Sequence, residues 1–287
     1  MAGTKRSWEG KAVCDQNNNT QKSATMEGAG VDEPSVSTLS IFETFRDELD
    51  QHHDRRERVI KTSRDITAMS KKIIFSLQRV RTINTPIPPS IAKETKTRFD
   101  QILTLFRNVI PDVTGINSWR YQRQISGAIQ EFIEALSFHH YLENQTLITL
   151  DEVRAHLPQG LLVTEEDYVM GLFDLTGEMM RFAITSLSAG GQAKDTDTDQ
   201  AGGHNLPKLP SSQAGIVVDL RGMRSSFESL TVPRRHAMFK DMSKKVDVMQ
   251  NSVEKVERAA YGILVRGSER PSGWMPDLSA PADVEIY

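Results

Sequence analysis

The chain has 287 residues, 38% of them apolar, and its 35 Lys and Arg fall just short of its 38 Asp and Glu, for a net charge of −3. That length suits one large domain or two small ones, and the charge excludes a globally basic nucleic-acid binder while leaving room for a local basic face. A single cysteine, Cys14, excludes an intramolecular disulfide and provides too few ligands for a cysteine-built metal site.

The first 38 residues are rich in Gly, Ser, Thr, Asn and Gln and lack apolar periodicity, which predicts a disordered tail. Nothing in the N-terminus reads as a secretory signal, and no apolar run is long enough to cross a membrane. The expectation is a soluble protein of the cytoplasm or nucleus. From Ile41 to about Ile83 neither Pro nor Gly occurs, and Val59, Ile66, Ile73 and Val80 recur every seven residues. This predicts one long amphipathic helix of roughly 60 Å. Between Arg55 and Arg81 it carries nine basic residues against Glu57 and Asp65, a face attractive to phosphates and equally readable as a solvated surface or a subunit interface.

Pro86, Pro88 and Pro89 break the chain, Ser90 offers an N-cap, and a second helix follows to Ile110. A third is predicted from about Trp119 to Glu143. Its start interleaves Trp119, Arg120, Tyr121 and Arg123, a weak single-strand-binding signal resting on Arg120 and Arg123. Thr149 with Glu152, and Thr164 with Asp167, mark the starts of a short helix over 151–157 and a longer one ending near Leu187. Residues 188–213 read as a polar, mobile insert, and 216–230 is ambiguous. Met242, Val246, Met249, Val253, Val256, Ala260 and Ile263 then form a heptad seam. No segment alternates as a strand would. The fold class is all-α, an elongated antiparallel bundle of about seven helices spanning 39–270, with a tail over 271–287.

Two helices place carboxylates among apolar neighbours. Glu131 and Glu134 are i, i+3; Asp174 and Glu178 are i, i+4. Four clustered carboxylates repel one another unless a divalent cation compensates them, and hard oxygens suit Mg²⁺ or Mn²⁺. Such an ion beside a phosphodiester makes a hydrolytic site. The alternative is plain ion pairing of Glu131 and Glu134 with neighbouring Lys or Arg, and of Glu178 with Arg181. A ferritin-like di-metal centre is disfavoured because Glu-x-x-His is missing.

The segments Glu48-Leu-Asp-Gln-His-His-Asp54, Ser63-Arg-Asp-Ile-Thr67, Gln130-Glu-Phe-Ile-Glu-Ala135, Asp174-Leu-Thr-Gly-Glu178 and Val265-Arg-Gly-Ser-Glu269 resemble the translin family, in its Trax branch (translin-associated factor X). The resemblance spans about residues 41–270. It implies a helical subunit that joins translin in a hetero-oligomer, usually an octameric shell, and binds single-stranded RNA or DNA. It further implies Mg²⁺-dependent endonucleolytic cleavage of RNA, in passenger-strand removal and tRNA fragment processing. The family's acidic site maps onto Glu131, Glu134, Asp174 and Glu178, with Glu134 and Glu178 as metal ligands. A non-catalytic scaffold that stabilises translin and shapes its nucleic-acid-binding shell is the rival expectation.

Overall fold

The computed structural model describes residues 38–189, 209–234 and 238–266. Cys14, the tail up to residue 37 and the tail over 271–287 lie outside the described residues. Those described form eight α-helices and one 3-10 turn, with no strand among them: α1 Thr38–Leu77, α2 Pro89–Val109, the 3-10 turn Ile110–Asp112, α3 Ile116–Arg120, α4 Gln122–Asn144, α5 Leu150–His156, α6 Glu165–Ala189, α7 Ser211–Glu228 and α8 Met238–Arg266. None of these helices is long and apolar enough to cross a membrane.

The chain divides after Asp47. In the first unit the described residues are the opening turns of α1, where Phe42 and Phe45 meet edge to face. The second unit holds the core and the candidate site. At its centre α6 packs against α4, α7 and α8. The predicted seam on α8 is buried at Met242, Met249, Val253, Val256 and Ala260, and partly buried at Val246 and Ile263, within the chain's own core.

Several boundaries differ from the sequence expectation for local reasons. Helix α1 ends at Leu77 and not near Ile83. Val80, Ile83 and Ile87 are buried from irregular backbone, and Asn84, at φ +55°, donates its N–H to the Leu142 carbonyl. Ser90 is inside α2, which starts from Pro88 with Pro89 at its first position, where a missing N–H costs nothing. The helix expected over 119–143 is two helices. Tyr121, at φ −108° and ψ 8°, separates α3 from α4, and its buried ring places the hydroxyl 2.8 Å from His52 Nδ1.

Both predicted helix starts hold. Thr149 and Glu152 cap α5 reciprocally. Thr164 Oγ1 accepts from the Asp167 N–H at 3.1 Å and donates to Asp167 Oδ2 at 2.8 Å, opening α6. Of the insert expected over 188–213, residues 190–208 lie outside the described residues, and its edges are helical: α6 continues to Ala189 and α7 begins at Ser211. Gln213, counted with the insert, is buried and donates to the Ser186 carbonyl at 2.8 Å. The ambiguous stretch from Ile216 to Leu230 is mostly helix, with Ile216, Val217, Leu220, Met223 and Phe227 buried.

Candidate active site

Two devices fix α4 against α6. The first is Gly171. A Cβ there would lie 2.8 Å from Ile133 Cγ2 and 3.0 Å from the Gln130 carbonyl, so only glycine permits this helix separation. The second is Asp167, 1% exposed, in the first turn of α6. Its carboxylate accepts from Gln122 Nε2 at 2.7 Å, from Gln130 Nε2 at 3.1 Å and from Ser126 Oγ, three side chains of α4. No cation pairs with it among the described residues; uncharged donors alone satisfy it. Sequence reading found Asp167 as a cap but missed its grip on α4, because Gln122, Ser126 and Gln130 are unremarkable polar residues until the helices meet.

With the helices so fixed, Glu131 and Glu134 of α4 and Asp174 and Glu178 of α6 line one cleft of about 630 Å³. All four predicted acids are brought together. Lys71, Ile74 and Phe75 of α1, with Gln78 just past its end, form one wall, and Gly177, Arg181 and Val248 add to the lining. The cleft is not purely acidic. Lys71 Nζ lies 3.2 Å from Glu131 Oε1, Lys245 pairs with Asp174, and Arg181 pairs with Glu178, as the ion-pair alternative foresaw for Arg181. Gln78 Nε2 donates to Glu178 Oε2 at 2.6 Å. Lys71 and Arg181 are largely exposed, so their bonds are loosely held.

Glu134 is the exception. It is buried and has no ion-pair partner among the described residues. Burial, then the neighbouring Asp174 and Glu131 carboxylates, push its carboxyl up to about 8. It therefore carries a proton at neutral pH. Three acids facing three cations, and a fourth kept neutral by its proton, make a cleft without a large net charge.

The donor set fits a hard divalent cation. Every candidate ligand is a carboxylate oxygen, and Glu131 Oε2 is buried without a hydrogen-bond partner. A ready-made ligand set does not exist, since no three Asp, Glu, His or Cys side chains among the described residues gather closely enough to hold an ion. Three of the four acids are each held by a cation. Lys71, Gln78 and Lys245 carried no site signal in the sequence beyond membership of basic or polar runs.

Arg120 and Arg123 are exposed and do not line the cleft. Arg120 Nη1 lies 3.0 Å from His52 Nε2, while Arg123 sits in the first turn of α4, about 12 Å along the axis from Glu131. Much of the basic face on α1 is spent internally. Arg55 and Arg58 hold Asp112, Arg56 pairs with Glu57, and Arg79 binds Glu94 at 2.5 Å. Lys61, Arg64, Lys72 and Arg81 form no ion pair among the described residues.

The sequence model of the translin family matches residues 54–267, a span that contains α4, α6 and all four acids. The chain belongs to the translin family. It is 33% identical to translin-associated protein X of Pongo abelii, over 88% of this chain and 87% of that one. The translin-associated protein X homolog of Schizosaccharomyces pombe is 26% identical over 80% and 89%, and translin of Mus musculus 22% over 81% and 95%. Similarity is thus greater to the X branch than to translin. Among solved structures the fold is similar to a chain of apo-NeC3PO, with a TM-score of 0.56 at 16% identity over 78% of this chain and 97% of that one. A chain of AfC3PO gives a TM-score of 0.51 at 18% identity over 76% and 94%.

Proposed function

We propose that this chain is the catalytic subunit of a divalent-metal-dependent endoribonuclease that assembles with translin and cleaves single-stranded RNA. The observation that carries the reading is the convergence of four carboxylates from two helices on one cleft, with Glu134 neutral and one Glu131 oxygen unsatisfied.

Glu134 and Glu178 would hold the cation, Mg²⁺ or alternatively Mn²⁺. When bound, the ion supplies charge compensation at the scissile phosphate and a water of lowered pKa. Glu134 must release its proton before it can act as a ligand. Glu131, through its unsatisfied Oε2, and Asp174 would orient the attacking water and take its proton. Lys71, Arg181 and Lys245, once displaced from their carboxylates, offer positive charge to the substrate phosphate. Membership of the translin family supports translin as the partner, in a hetero-octamer by our reading. Passenger-strand removal and tRNA fragment processing, in cytoplasm and nucleus, complete the proposal.

The scaffold reading draws on the three ion pairs that already occupy the cleft. One assay separates the two. The complex co-purified with translin is given a single-stranded RNA with Mg²⁺ and then with EDTA, alongside Glu134→Ala. Cleavage that needs the metal and vanishes in the variant, with assembly and RNA binding retained, is expected. Full activity of the variant would sink the site, and no cleavage by the wild type would leave the scaffold.

A further inference from the structure

Phe75 is an anomaly within the cleft. It lines the same cavity as the four acids, yet it is 76% exposed. Its neighbours on α1, Ile73, Ile74 and Leu77, are buried, and it stacks on no other ring among the described residues. Lys71, Ile74 and Phe75 follow the i, i+3, i+4 spacing along α1, so the ring stands one turn from a cation that contacts Glu131. Val248 of α8, 64% exposed, also lines the cleft.

A ligand that uses both features needs a flat, largely apolar ring joined to an anion. A nucleotide has that chemistry. We infer that Phe75 is a base-stacking platform that seats the nucleobase beside the scissile phosphate, and that it selects for unpaired nucleotides. In a duplex both faces of each base are covered by neighbouring pairs, so no face is free for the ring. An unpaired base can leave its own stack and lie on Phe75 while its phosphate reaches Lys71 and the carboxylates. The inference rests on the nuclease reading for the identity of the neighbouring phosphate. It requires no cation for the stacking itself.

The test uses the complex with translin, a single-stranded RNA of one base type, and the same backbone carrying abasic riboses. Binding is measured in EDTA and cleavage in Mg²⁺ for the wild type, Phe75→Ala, Phe75→Leu and Phe75→Trp. The alanine variant is expected to bind base-bearing RNA about tenfold more weakly or worse. Tryptophan should restore binding and leucine should not, while abasic RNA should bind wild type and alanine variant alike. Equal binding of base-bearing RNA by wild type and alanine variant would overturn the inference. So would rescue by leucine as complete as by tryptophan, or loss of the translin complex in the alanine variant, which would make Phe75 a protein contact. RNA binding by a wild type that never cleaves would remove the nuclease reading while leaving the Phe75 comparison readable.

Discussion

Helices α4 and α6 bury carboxylates at two places and treat them in opposite ways. Near the start of α6, Asp167 is satisfied by Gln122, Ser126, Gln130 and Thr164, all uncharged, although Glu165 and Glu166 share its helical turn. Two to three turns further on, Asp174 and Glu178 face Glu131 and Glu134, where like charges crowd, one oxygen is unsatisfied and one carboxyl stays protonated. The first arrangement maximises stability. The second holds its carboxylates with three cations and one proton, the groups that a cation bound under the proposed reading would have to displace.

The contrast is broken most severely at the acidic cleft. Glu178→Gln keeps a partner for Gln78 but loses an anionic ligand, and RNA cleavage should fall by about a thousandfold with no loss of melting temperature. A stability loss with retained cleavage would make Glu178 structural. At the other end, Asp167→Ala orphans donors on two helices and should cost about 2–4 kcal/mol, or roughly 5–15 °C in Tm. An unchanged Tm would show that α4 and α6 are held by Gly171 and apolar packing alone.

Glu134→Gln sharpens the comparison through pH. The folded-state carboxyl is raised to about 8 from an ordinary 4.5, so the folded state holds a proton that the unfolded chain releases. Stability from this group is complete below about 4.5 and is lost as pH climbs through about 8. In EDTA the glutamine variant should be more stable than the wild type by about 1–3 kcal/mol at pH 7, with the gap widening from pH 5 to pH 8. A gap that narrows over that window would contradict a protonated Glu134. The smallest effect is expected at Arg123, exposed and off the cleft: alanine there should weaken RNA binding no more than about twofold and lower the salt slope by at most about one. A larger change would extend the RNA path over α3 and the start of α4.

The sequence carried the helical class and the four acids because both depend on spacing within one helix. Glu131 with Glu134, and Asp174 with Glu178, share faces by i, i+3 and i, i+4 rules alone. What it did not carry depends on which helices meet. Lys245 reaches Asp174 from α8, and Gln78 reaches Glu178 from the turn after α1, and neither approach leaves a local pattern. The break at Tyr121 was hidden for a related reason: its hydroxyl is drawn to His52, 69 positions earlier, and that distant bond overrides a locally plausible continuous helix.

The close approach of Gly171 to Ile133 and the Gln130 carbonyl makes this glycine a width gauge for the acidic cleft. A methyl group at 171 would lie 2.9 Å from Ile133 Cβ and 3.0 Å from the Gln130 carbonyl, atoms that trimming Ile133 to alanine leaves in place, so position 171 must stay glycine while the helices keep this separation. Gly171→Ala should wedge α4 from α6 and separate the two carboxylate pairs, and adding Ile133→Ala should not return them to register, because the Ile133 Cβ position and the Gln130 carbonyl are unchanged. Cleft width, and with it the size of any cation that the acids would hold under the proposed reading, is then set by a residue that is not itself one of the four acids.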